Sequence, residues 1–192
     1  LDGFNIVALV AQEDKPVGRK GILEPVPTKI VALNHNIPVY QPHRIRKDYE
    51  FIKELKPDLI ITMAYGQIVH RGAAPIQRSI MNGDIVTGVT LMEMVDEMDA
   101  GKMYAKEEIE ISIGETYSSL CEKMSDAATT LCLRSLDDYF EGKLPGVEQD
   151  ASQVTFADKI LPEEERLDVN LNAQDFLNKL HGLSNEPGGY VL

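Results

Sequence analysis

The chain has 192 residues, 43% of them apolar and 26% charged, with a net charge of −12 at pH 7. That length predicts one domain, or one domain and part of another, and the apolar fraction suffices for an ordinary soluble core. No apolar run reaches the length that spans a bilayer, no basic-then-apolar leader opens the chain, and the acidic balance argues against a protein that coats nucleic acid over its whole surface.

The charge is uneven. Residues 1–85 hold 11 Lys+Arg and 9 Asp+Glu, a balance of +2, whereas residues 86–192 hold 8 and 22, a balance of −14. A polyanionic partner would meet the first half, and a solvated acidic surface with no partner is the plainer reading of the same numbers. Cys121 and Cys132 fall on one predicted helix, too far apart along its axis to bridge, which predicts reduced, buried thiols in a cytoplasmic protein.

Leu1-Asp2-Gly3 reads as the end of a helix, and Asn5 to Ala11 (NIVALVA) as a buried strand. A doubly wound fold usually opens with its own strand and helix, which have no counterpart here. QEDKPVGRKGILEPVPT follows, rich in Pro, Gly and cations, and is read as a long flexible loop. Thr28 is expected to start a helix ending near Asn36. IPVYQP reads as a short strand, and Asp48 as the cap of a helix bearing Phe51, Ile52 and Leu55. Pro57-Asp58 breaks that helix, and Leu59 to Ala64 (LIITMA) reads as a second fully buried strand. Strand and helix alternate, which predicts an α/β, doubly wound, Rossmann-like fold with a parallel-rich sheet.

The stretch from Arg71 to Tyr104 organises the rest. It predicts a short helix from Pro75 to Gly83, a buried central strand from Val89 to Val95, and a loop from Asp96 to Gly101 carrying Asp96, Glu97 and Asp99. Residues 103–111 alternate as a half-buried strand nearer a sheet edge. A long amphipathic helix spans Thr116 to Phe140 and stops at Gly142. From Ala151 the periodicity fades into an acidic linker, and a new helix over Ala173 to Leu180 precedes a Pro-Gly-Gly turn and an apparent strand start at Tyr190. The predicted organisation is residues 1–153 as a catalytic domain, 154–172 as linker, and 173–192 as the start of a C-terminal domain.

Three places can carry chemistry. Asp99 lies just past the carboxyl end of a strand, where α/β sheets keep their ligands; it could orient a catalytic histidine, bind a cation, or cap the next turn. Tyr65-Gly66-Gln67-Ile68-Val69 follows LIITMA, and Gly66 lets the backbone approach a heterocycle closely, unless this is an ordinary turn. Lys15, Arg19 and Lys20 could grip phosphates, although surface cations are common. His70 is the one histidine beside these segments. No zinc-ligand spacing and no phosphate-binding glycine loop is present in the sequence.

Four runs resemble the methionyl-tRNA formyltransferase family: QEDKPVGRKGILEPVPTKIVALNHNIPVYQP, LKPDLIITMAYGQIV, RGAAPIQRSIMNGDIVTGVTLMEMVDEMDAGKMY and VTFADKILPEEERLDVNLNAQDFLNKLHGLS. Together they cover nearly the whole chain. The family opens with a strand and helix absent here, carries a helix, a strand and an Asn-x-His-x-Ser-Leu-Leu-Pro segment between YGQIV and RGAAP, and continues into a C-terminal domain. Only His70 stands between Val69 and Arg71, so the family's catalytic Asn has no counterpart. His70 is either the catalytic histidine or merely the residue after the turn. NEPGGY replaces a Trp-containing turn near the end.

The resemblance implies transfer of the formyl group of 10-formyltetrahydrofolate to the α-amine of methionyl initiator tRNA, with no metal. It assigns Asp99 as the acid that polarises a histidine, with His70 as that histidine's candidate. It places the pterin against Gly66, Gln67, Ile68 and Val69 and against Met94, Val95, Asp96 and Met98. It gives the acceptor stem to Lys15, Arg19, Lys20 and Arg71, in a monomeric, membrane-free enzyme. Two alternatives remain open at this point: a folate-dependent N-formyltransferase acting on a nucleotide-linked amino sugar, and a fragment that binds folate or RNA without turnover.

Overall fold

The computed structural model describes residues 3–17, 21–62, 73–96 and 99–192, which pack as two units, Leu1–Ile68 and Val69–Leu192. The fold class is α/β, as expected.

In the first unit, strand β1 (Leu9–Val10) pairs in parallel with β4 (Val39–Tyr40). The Leu9 N–H donates to the Pro38 carbonyl at 2.8 Å and the Ala11 N–H to the Tyr40 carbonyl at 3.0 Å. The strand expected over Asn5–Ala11 is therefore only two residues long. Its partner is bracketed by Pro38 and Pro42, and a proline has no N–H to extend the ladder. The stretch read as a flexible loop instead forms an antiparallel hairpin of β2 (Lys15–Val17) and β3 (Ile22–Glu24). Two three-residue runs flank a glycine at φ +58°, Gly21, and the hairpin satisfies backbone groups that a loop would leave to solvent.

Helix α1 (Pro27–Asn34) starts one residue before Thr28, because Pro27 is preset for the first helical turn. Helix α2 (Glu50–Leu55) ends at Lys56, whose left-handed backbone breaks the helix before Pro57. Asp48 does not cap α2. Its carboxylate accepts the Arg44 N–H at 3.3 Å and closes the turn before the helix. Phe51 of α2 stacks on Tyr40, ring centroids 4.3 Å apart.

Leu59–Thr62 joins no ladder, and Ile60 and Ile61 stand 57% and 50% exposed, so the expectation of a fully buried strand fails over these residues. An apolar run becomes a buried strand only where neighbouring strands and covering helices exist, and none is found for it among the described residues. Met63 and Ala64 lie outside the described residues.

In the second unit, α3 (Pro75–Met81) begins at Pro75 and ends before Gly83, as expected. Strand β5 (Val86–Met92) pairs antiparallel with β6 (Met103–Glu110). This corrects the reading of Val89–Val95 as a buried central strand. The ladder begins three residues earlier, alternate residues of β5 are exposed, and β6 is its paired neighbour. Among the described residues parallel pairing is found between β1 and β4 and in one isolated bridge between Arg166 and Tyr190.

Helix α4 (Tyr117–Phe140) packs on both strands, burying Leu120, Leu131, Ser135 and Leu136, with Tyr139 edge-on to Tyr104 at 5.0 Å. Thr116 caps it through the Ser119 N–H at 3.3 Å. Glu115, 7% exposed, contacts Ser119 and Lys123 just before the cap. Burial alone would push the Glu115 carboxyl up, and those contacts outweigh it, so its pKa lies below the ordinary value.

Helix α5 (Ala173–Gly182) crosses α3. Ala74, Ile160, Leu167 and Leu183 form a buried cluster with Met81, Phe176 and Leu180 against it. The acidic stretch 154–172 is thus packed: it supplies Ile160 and Leu167 to this core, and Arg78 binds Glu164 within it.

Candidate active site and its relatives

Asp99 lies past the carboxyl end of β5, in the ten-residue connection between β5 and its antiparallel neighbour β6. Three features of the chain hold that connection. The Glu93 N–H donates to the Lys102 carbonyl at 2.9 Å and closes its base. Gly101 packs against the Glu93 carbonyl so closely that a Cβ there would lie 1.9 Å from the oxygen. The segment after Gly146 runs beside β6, with Met103 and Val147 exchanging backbone hydrogen bonds of 2.9 and 2.8 Å.

That pairing brings Gln149 under the loop. Its amide donates to the Asp99 carbonyl at 2.6 Å and to the Gly101 carbonyl at 2.8 Å. Asp99 has φ +48°, a left-handed backbone that Asp and Asn tolerate better than other side chains. Its side chain is half-buried. Gln149 was not among the residues singled out in the sequence. It is one amide in an aperiodic stretch, and only the Met103–Val147 pairing reveals it.

Met94 and Val95 are 54% and 40% exposed and Asp96 is exposed, so an apolar patch with adjoining main chain faces solvent beside Asp99. Those are features a flat heterocycle can use. Lys15 is exposed on β2, in the first unit. Arg19, Lys20, Gly66, Gln67, Ile68, Val69, His70, Arg71 and Met98 lie outside the described residues.

Both cysteines are free and half-buried, where buried thiols were expected; burial pushes the Cys121 thiol up. Among the described residues no group of three His, Cys, Asp or Glu side chains is placed to hold a metal ion, and no helix is long and apolar enough to cross a membrane.

A family model described as formyl transferase matches residues 69–136, which include α3, both strands of the second unit and the Asp99 loop. The methionyl-tRNA formyltransferase of Bacillus thuringiensis subsp. konkukian (strain 97-27) is 38% identical over 214 residues, covering 99% of this chain and 68% of the relative. Since 214 exceeds the 192 residues here, the aligned stretch of the relative holds at least 22 residues without counterpart in this chain.

Many solved structures share the fold, and two illustrate it. HypX from Aquifex aeolicus in complex with tetrahydrofolic acid superposes with a TM-score of 0.64 at 19% identity, over 84% of this chain and 32% of HypX. Methionyl-tRNA formyltransferase from Clostridium thermocellum does so with a TM-score of 0.58 at 14% identity, over 86% and 81% of the two chains. With near-complete coverage at 38% identity to a relative of which it spans more than two thirds, the chain belongs to the methionyl-tRNA formyltransferase family.

Proposed function

We propose that the protein transfers the formyl group of 10-formyltetrahydrofolate to the α-amine of methionyl initiator tRNA. The observation that carries this reading is the 38% identity across 99% of the chain to a methionyl-tRNA formyltransferase. An acylated folate supplies an already activated formyl group, so the protein's own work is to bind, orient and move protons. When the amine attacks, the intermediate needs a hydrogen-bond donor for its oxyanion and a base for the amine proton.

In this proposal Asp99 is the acid that orients and charges a histidine, for which His70 is the candidate. A neighbouring carboxylate favours the imidazolium form, raising the ring's pKa and readying it to donate. The Gln149 clamp on the Asp99 carbonyl supports the assignment, because it fixes the backbone from which the carboxylate projects. Met94, Val95, Asp96 and Met98, with Gly66, Gln67, Ile68 and Val69, would hold the pterin. Lys15, Arg19, Lys20 and Arg71 would meet the acceptor stem. Residues 1–153 would form the catalytic domain, 154–172 the linker and 173–192 the start of the next domain.

The test is formyl transfer from 10-formyltetrahydrofolate to charged initiator tRNA and, in parallel, to amino-sugar nucleotides. Turnover on the tRNA alone supports the proposal. Turnover on the sugars alone, or folate binding with no transfer to either acceptor, would sink it.

A further inference from the structure

The turn between β4 and α2 gathers three cations in four residues: Arg44, Arg46 and Lys47. They line a concavity of about 250 Å³ together with Ile45, which is buried and anchors the turn. The turn is closed from within. The Arg44 carbonyl accepts the Lys47 and Asp48 N–H groups at 2.8 and 3.0 Å, and the Asp48 carboxylate accepts the Arg44 N–H at 3.3 Å. Asp48 is thereby occupied with main chain, and the Arg44, Arg46 and Lys47 side chains are all exposed with no acidic partner among the described residues. Elsewhere among the described residues eight cations pair with carboxylates, Lys29, Lys53, Arg78, Lys102, Lys106, Lys123, Arg134 and Lys143, whereas Lys15, Lys56, Lys159, Arg166 and Lys179 stand singly along the chain rather than clustered in one turn.

The place of this turn in the unit gives it direction. Because β1 and β4 are parallel, the chain leaves both strands at the same end of the sheet: from β1 into the Lys15 hairpin, and from β4 into the Arg44–Lys47 turn. The two exits are tied together. The Gln41 amide donates to the Gln12 carbonyl at 2.6 Å and to the Asp14 carboxylate at 2.8 Å, and the Lys29 ammonium joins Asp14 at 2.6 Å and the Gln41 carbonyl oxygen at 2.7 Å. His43 lies 3.1 Å from Glu13 beside them. Residues 1–68 hold 9 Lys+Arg against 8 Asp+Glu, a balance of +1, whereas residues 69–192 hold 10 against 23, a balance of −13. The first unit is thus near neutral and the second strongly acidic, which favours the first for contact with a polyanion.

We propose that the Arg44–Lys47 turn is a contact for the RNA phosphate backbone, continuous with the Lys15 hairpin. It rests on the reading of tRNA as substrate. Exposed cationic side chains clustered on one turn suit phosphate oxygens, and such contacts position an RNA without reading its sequence.

The test measures binding of fluorescently labelled initiator and elongator tRNA to the full chain across a salt series. The variant carries Arg44→Gln, Arg46→Gln and Lys47→Gln. A control removes the same charge elsewhere with Lys106→Gln, Lys143→Gln and Lys159→Gln, and a second variant keeps the charge with Arg44→Lys and Arg46→Lys. The expected result is at least about tenfold weaker binding of both tRNAs by the glutamine variant, with the slope of log affinity against log salt reduced by about three, roughly one for each cation removed. The control and the lysine variant keep wild-type slopes, and kcat at saturating tRNA is unchanged.

An unaltered affinity and slope in the glutamine variant overturns the inference, as does an equal loss in the control. Binding of inorganic phosphate by the wild type but not the variant, with tRNA affinity and salt slope unaltered in the variant, assigns the turn to a free phosphate instead and also overturns it. Formyl transfer by the wild type separates the two readings. Transfer with an unchanged salt slope in the variant removes only this contact, whereas no transfer and no RNA binding removes both.

Discussion

The Gln149 amide bridges the Asp99 and Gly101 carbonyls, at 2.6 and 2.8 Å, and so fixes the main chain of the acid from a segment fifty residues later. Gln149→Leu keeps the bulk of the side chain and removes both donors. We expect kcat for formyl transfer to fall about tenfold or more, since small misplacements of an orienting group are costly, with the KM for tRNA little changed. Steady-state kinetics with each substrate varied would check this; an unchanged kcat would mean that the clamp is only structural.

Asp99→Asn tests the charge with the backbone held constant. Asparagine accepts the left-handed φ of +48° as readily as aspartate, so the loop should survive while the carboxylate is lost. A hundredfold or larger fall in kcat is expected, on the order of what positioned acid–base groups contribute. The contrasting Asp99→Val change adds backbone strain of about 1–2 kcal/mol and should also lower the melting temperature. Equal turnover in wild type and the Asn variant would reduce Asp99 to a turn residue.

Arg78 holds Glu164 through two hydrogen bonds of 2.7 and 3.0 Å, and also donates to the Asp158 and Lys159 carbonyls. The Arg78 guanidinium, helped by the Leu161 N–H, pulls the Glu164 carboxyl from 4.5 down to about 2. A depressed folded pKa means stability that is full above about 4.5 and lost as the pH falls toward about 2. Arg78→Leu should therefore cost about 2 kcal/mol at pH 7, within the range for charged hydrogen bonds, and progressively less below pH 4.5. Denaturant titrations of both proteins across that window would show a constant gap if the pair were not the cause.

Gly182 is where α5 meets α3. A Cβ there would lie 2.6 Å from Met81 Cγ and 3.0 Å from the Gln77 carbonyl. Met81 can move and the backbone oxygen cannot, so Gly182→Ala should destabilise by about 1–3 kcal/mol despite alanine's better helix propensity. A melting temperature at or above wild type would show that the crossing is looser than its geometry.

These residues also show what a sequence can disclose. Helix α4 was legible because twenty-four residues repeat one stripe behind a Thr cap, and α3 because Pro75 and Gly83 bracket it. Asp99 was legible as an acid in a loop. Its true setting in an antiparallel connection was not, since an apolar run such as 86–92 does not announce its neighbour's direction. Leu59–Thr62 failed for the same reason: strand character depends on partners far along the chain. The β2–β3 hairpin was hidden by its prolines and glycines, which punctuate loops and tight hairpins alike. Gln149 left no trace at all, because a hydrogen bond to main chain constrains position more than residue pattern.

The ion pair of Arg78 and Glu164 joins positions 86 residues apart, across both strands of the second unit and the whole of α4. Contacts of such span are assembled after local ones, because the intervening chain must first be ordered. The docking of 158–164 onto α3 should therefore be absent from the folding nucleus and should act as a latch on the finished unit. In stopped-flow experiments, Arg78→Leu would then speed unfolding while leaving the refolding rate of the unit nearly as it was. The persistence of the native state in time, more than the ease of reaching it, would rest on this one guanidinium.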